Sequence, residues 1–131
     1  MGIITVAVAA NATRSKKIVE DFACDASLAT GDWVYLDAAV DNKVIKAANN
    51  SSPRPVIGVV ETKRNATIAS VLLLGLYGDG YTFTRGDTVY LGTDGLPTTT
   101  PPATGIIQVL GIAEKTDGML VRPELRRTRR V

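Results

Sequence analysis

The chain has 131 residues and a mass of 13.9 kDa, with 45% hydrophobic and 21% charged residues. That makes it one folded domain with its own core and excludes disordered and collagen-like classes. It contains no histidine, one cysteine and five serines, so the side chains that most often carry acid–base and nucleophilic chemistry are nearly missing and an enzyme is disfavoured. The formal net charge of +2 is unevenly divided: residues 1–121 hold ten Lys or Arg against twelve Asp or Glu, whereas 122–131 hold five Arg against Glu124 alone.

The chain opens on the apolar run Ile3-Ile4-Thr5-Val6-Ala7-Val8-Ala9-Ala10. No basic residue precedes it, while Arg14, Lys16 and Lys17 come after it, which is the reverse of a secretory signal. Residues 1–15 therefore read as an N-terminal arm. Its alternating Ile3, Ile4, Val6 and Val8 could add a strand to a neighbouring sheet edge. No stretch approaches the roughly 20 apolar residues of a membrane helix, so a soluble chain is expected. The single Cys24 cannot form an internal disulfide and has no histidine to activate it. An inert, at least partly buried thiol in a protein folded in the cytosol is the expectation.

Beyond the arm the chain repeats itself. Residues 31–36 read Gly-Asp-Trp-Val-Tyr-Leu and residues 86–91 read Gly-Asp-Thr-Val-Tyr-Leu, and Val56-Ile57-Gly58-Val59-Val60-Glu61 lines up with Val109-Leu110-Gly111-Ile112-Ala113-Glu114. Upstream, the same ungapped register pairs Ile18 with Leu73, Val19 with Leu74, Phe22 with Tyr77 and Leu28 with Phe83. Two copies of one β module are predicted, at 16–70 and 71–121. In each, a strand leads to a Gly-Asp turn and a strand rich in β-branched and aromatic residues. A polar reversal comes next, Asp41-Asn42-Lys43 or Thr93-Asp94-Gly95, the latter holding a strong hairpin signal. Beyond it lie a proline loop and an apolar strand containing Gly58 or Gly111, where an internal glycine signals a bulge or a close backbone approach. Hairpins at Lys63-Arg64-Asn65 and Thr116-Asp117-Gly118 close the copies, and Gly75 to Gly80 reads as a wide turn.

Gly or Pro interrupts every candidate helix, and the best one, Ser15 to Ala23, fits a strand equally well. Short strands with regular turn signals predict an all-β, compact sandwich or barrel built from the two modules, a single domain over 1–131. The remaining ten residues form an arginine-rich tail. Arg122, Arg126, Arg127, Arg129 and Arg130 could seek phosphates or an acidic protein surface, or could be a solvated, disordered terminus. Nucleic acid is the weaker partner, because the rest of the chain is slightly acidic and its aromatics do not interleave with basic residues.

The candidate sites have mundane readings beside them. Arg85-Gly86-Asp87 matches an adhesion tripeptide, but its counterpart Thr30-Gly31-Asp32 marks Gly-Asp as a turn of the module. Asp32, Asp37 and Asp41 lack the alternation and closing Glu of a calcium loop, so no metal is expected there. Trp33, the only tryptophan, stands where the second copy has Thr88 and is either an interface anchor or a core filler. No cofactor site and no catalytic set emerge.

The run Gly86 to Leu91, then Asp94-Gly95-Leu96-Pro97, Val109 to Ala113 and Gly118-Met119-Leu120-Val121-Arg122-Pro123 resembles the head decoration (capsid cement) proteins of tailed bacteriophages, over about residues 71–123. The resemblance implies a small β protein without catalysis that binds the outer surface of an assembled capsid and stabilises it. Its partners would be the major capsid protein and copies of itself, a trimer being favoured. Its place would be the virion, after folding in the host cytoplasm. By position, Ile3, Ile4, Val6 and Val8 of the arm would reach the capsid, joined by Arg126, Arg127, Arg129 and Arg130. Similar motifs occur in head-fibre and tail-associated virion modules, so the alternative is a module that binds a host receptor or glycan through an exposed aromatic platform.

Overall fold

A computed structural model describes residues 17–51 and 53–130. The described residues are all β and irregular, with no helix. Eleven strands run in chain order: β1 Ile18–Ala23, β2 Trp33–Leu36, β3 Val44–Lys46, β4 Val56–Asn65, β5 Ile68–Gly78, β6 Thr88–Leu91, β7 Pro97–Thr98, β8 Gly105–Ile107, β9 Val109–Lys115, β10 Gly118–Val121 and β11 Thr128–Arg130. Nine of them make one curled antiparallel sheet in the order β3-β2-β4-β5-β10-β9-β6-β7, with β1 pairing on β5, and it forms a half-barrel. β11 and β8 make a separate two-stranded sheet. The path ends on β3 and β7, strands of 3 and 2 residues that are not hydrogen-bonded neighbours.

The two segments of matching sequence have matching geometry. The turn glycines have left-handed φ values of 93° at Gly31 and 87° at Gly86, which a side chain would resist. Their N–H groups donate to Val60 O and Ala113 O, both at 2.8 Å. In β2 and β4, Trp33 lies opposite Val59 and Val34 opposite Gly58, and the register then slips before Tyr35 meets Val56. In β6 and β9, Thr88 lies opposite Ile112 and Val89 opposite Gly111, with the same slip before Tyr90 meets Val109. The glycine at each bulge admits a neighbouring backbone: a Cβ on Gly58 would overlap the Leu72 carbonyl oxygen, and one on Gly111 the Leu120 carbonyl oxygen.

Four expectations need correction. Gly75 to Gly78 is not a turn but the last part of β5, and the chain reverses only after Gly78. The glycines there serve close strand packing, since a side chain at 75 would collide with Lys17 and Gly78 lies opposite Gly118. The break expected between residues 70 and 71 falls inside that same strand, and the hairpin expected at Lys63-Arg64-Asn65 turns instead at Ala66-Thr67. Finally, Val19 lies opposite Leu72 as Leu76 lies opposite Leu120, so the ungapped pairing of Val19 with Leu74 is two residues out. Bulges, including the one between Ile18 and Val19, shift the register in a way no ungapped alignment can carry.

Alternation sorts the apolar side chains into two cores. In the larger, Trp33, Val56, Val59 and Leu72 from the first half of the sheet pack against Val89, Leu91, Leu110, Ala113, Met119 and Val121 from the second. The smaller lies on the other face of the first half, where Val34, Val44, Val60, Ala69 and Val71 are covered by Cys24 and Leu28. Two buried amides tie the halves together. Gln108 accepts from Val56 N at 2.9 Å and donates to Val56 O and Glu124 O, each at 2.8 Å. Asn50 donates to Thr104 O and Ile106 O at 2.8 and 3.2 Å.

Candidate functional site

The arm residues Ile3, Ile4, Val6 and Val8 lie outside the described residues. Trp33 takes the core-filling of its two expected roles: it is fully buried between the halves, and its indole N–H donates to the Tyr81 hydroxyl at 3.3 Å. A partner's surface cannot reach it in the folded chain. Cys24 is buried and free, its thiol 3.9 Å from Ala66 O. The carboxylates of Asp32 and Asp37 accept from the N–H groups of Ala29 and Ala39 at 2.9 and 2.8 Å, the turn-stabilising use of aspartate. Among the described residues no three His, Cys, Asp or Glu side chains gather as a metal site.

The C-terminal segment is not a free, solvated tail. Its end is strand β11, with Thr128 opposite Ile107, Arg129 opposite Ile106 and Arg130 opposite Gly105. The cause is the edge offered by β8, which Asn50 holds in place by accepting from Ile106 N at 3.2 Å as well as by its amide donors. Arg127 donates to Pro53 O at 3.4 Å, and Arg122 and Arg126 are exposed. The arginines are thus carried on chain that is fastened to the body.

Upstream of β11 the same segment walls a groove that motif reading did not find. Arg122 N donates to Leu110 O at 2.8 Å and Glu124 N to Val109 O at 2.9 Å, so residues 122–124 run beside β9. The groove, of about 560 Å³, is lined by Thr88, Val109, Gly111, Ile112, Leu120, Arg122, Pro123 and Glu124. Its floor is a cross-strand row: Thr88 lies opposite Ile112, Ile112 opposite Leu120, and Leu120 opposite Leu76. Ile112 is 50% exposed and Leu120 39%. The side chains of Arg122 and Glu124 form no ion pair among the described residues. One signal in the sequence pointed here: the repeat replaces Trp33 by Thr88, a buried bulk by a small hydroxyl residue suited to an open face.

The tyrosines turn the other way. Tyr35, Tyr77 and Tyr81 pack against the larger core, with Tyr77 and Tyr81 rings 6.3 Å apart and Tyr81 and Phe83 5.0 Å apart. Burial pushes the Tyr81 phenol up to about 12 against the opposing hydrogen bond from Trp33, and burial raises Tyr77 as well, with Asp79 adding to it. The open face thus carries the row Thr88, Ile112, Leu120 and Leu76, with Arg122 and Glu124 beside it. No family model, curated protein or solved structure matches this chain.

Proposed function

We propose that the chain is a structural virion protein that binds the outer surface of a bacteriophage capsid and stabilises it, built from two copies of one β module sharing a core. The observation that carries the reading is the fastened C-terminal segment. Arginines on a strand docked to the body lose less conformational freedom on meeting an acidic surface than arginines on a loose tail would. The motif run from Gly86 to Pro123 supplies the class of that surface by resemblance. Its partners are the major capsid protein and further copies of the chain, and no step of the reading needs a cofactor. This is preferred to a receptor- or glycan-binding module because three of the four tyrosines and the tryptophan pack inward. The many weak contacts of a lattice suit a protein that binds without a deep site.

The test is incubation of the purified protein with expanded, undecorated heads. Saturable binding at a fixed copy number per capsid is expected, weakened by Arg126→Glu and by added salt. Binding that never saturates, or none, sinks the reading.

A further inference from the structure

The row Thr88–Ile112–Leu120–Leu76 has a counterpart in the first half of the sheet, Trp33–Val59–Leu72–Val19, at the same register and beside the same bulge. The counterpart is covered. Trp33, Val59 and Leu72 are 0% exposed, because the second half of the sheet lays Val89, Leu91, Leu110, Ala113, Met119 and Val121 over them. This sheet face thus has one observed complement in the molecule, an aliphatic β surface of its own kind. The second half has nothing over its equivalent row among the described residues, and the row spans three inter-strand spacings, about 14 Å. Single exposed apolar residues are ordinary, but a row continued across four strands and walled on one side is an interaction surface.

We infer that this face is where two copies of the chain meet. The charges select that occupant. Arg122 and Glu124 flank the row with opposite signs, neither in an ion pair among the described residues. A contact of the face with itself places Arg122 of each copy against Glu124 of the next, so every copy gives one cation and receives one, and the set closes without an orphaned charge. A strongly acidic or basic partner would satisfy only one of the two. The head-to-tail alternative, in which the row meets the outer face of a neighbour's first half, is blocked because Cys24 and Leu28 already cover that face. Side chains at 112 and 120 would bury in the centre, with Arg122 and Glu124 at the rim, the usual arrangement of a specific interface.

The inference stands apart from capsid attachment and is tested without capsids. In sedimentation velocity of the full chain up to about 100 μM, wild type is expected to associate with concentration. Ile112→Lys and Leu120→Lys, both at exposed positions and so neutral to the fold by circular dichroism, should sediment as the 13.9 kDa monomer. Arg122→Glu alone sets two carboxylates face to face and should weaken association about tenfold or more, whereas Arg122→Glu with Glu124→Arg should restore it to within about threefold of wild type. A monomeric wild type at the highest concentration, assembly unchanged by Ile112→Lys, or a double swap no better than the single reversal overturns the inference. Self-association without head binding would fail the capsid-binding reading and leave this face standing, whereas head binding by a chain that stays monomeric would keep capsid binding, overturn this inference and remove further copies of the chain from the proposed partners.

Discussion

The two halves of the sheet share a Gly-Asp turn, a bulge at the same register and a glycine pressed against a neighbouring carbonyl, yet the same cross-strand row is the centre of the core in one and open in the other. The difference teaches that strand pattern sets which face a residue points to, while burial depends on what the rest of the chain lays over that face. In the first half both faces are covered, one by the second half of the sheet and one by the segment holding Cys24 and Leu28. In the second half only one face is covered by the described residues. Apolar identity is largely kept across the comparison, Val59 against Ile112 and Leu72 against Leu120, and it is the Trp33 to Thr88 exchange that registers the loss of cover.

The hardest test of the shared geometry is at the two bulge glycines. Gly58→Ala and Gly111→Ala each drive a methyl group into a backbone oxygen that belongs to an adjoining strand and cannot swing aside. Each should cost at least about 4 kcal/mol, a large part of an ordinary domain's stability, read from the shift of the urea midpoint. Gly86→Ala meets open space and suffers only its left-handed φ of 87°, so about 1–2 kcal/mol is expected. A tolerated alanine at either bulge, with the other intolerant, would break the equivalence of the halves.

Next in size is the pair of substitutions along the row itself. Trp33→Ala empties the centre of the larger core and strands the Tyr81 hydroxyl contact, for about 3–5 kcal/mol. Thr88→Ala, at the equivalent position on the open face, should stay within about 0.5 kcal/mol. Equal costs would mean that the open row is covered after all, and running the same pair at concentrations where copies associate sharpens the contrast.

Much of this was legible in the residues. The all-β character, the repeat, the Gly-Asp turns and the bulge glycines arise from period-two alternation and from glycine where backbone must pass close by. The features that were not legible each have a physical reason. Glycine density at 75–80 looks the same in sequence whether it serves a turn or a crowded strand, and only the neighbour, Lys17 against Gly75, decides. The fastening of β11 depends on a free edge at β8, a feature of tertiary structure, and Arg-rich composition argues for solvent instead. Gln108 is a polar residue at an unremarkable position whose amide replaces a strand partner for Val56, a role set by distance alone. The groove required knowing that none of the described residues is laid over the second half's outer row.

The smallest expected effect concerns the contact between the halves at the tyrosines. Tyr81, which bonds to Trp33 across the larger core, has its phenol raised to about 12, with Tyr77 raised beside it, chiefly by burial. A phenol whose folded value lies above its unfolded value of about 10 is held neutral by the fold. Its contribution is therefore complete below pH 10 and is lost as pH climbs from there through about 12, because the unfolded chain can ionise while the folded one resists. The thermal midpoint should fall over that alkaline window. Tyr81→Phe, which keeps the ring against Phe83 and removes the titrating group, should fall less steeply than wild type over the same pH steps, whatever its starting midpoint. The tyrosinate absorbance at 295 nm that Tyr81 contributes, read as wild type minus Tyr81→Phe, should rise only as the chain unfolds. Parallel slopes for wild type and Tyr81→Phe, or a rise of that difference near pH 10 ahead of unfolding, would show that the Tyr81 phenol between the halves is open to water, and with it the junction that keeps Trp33 dry.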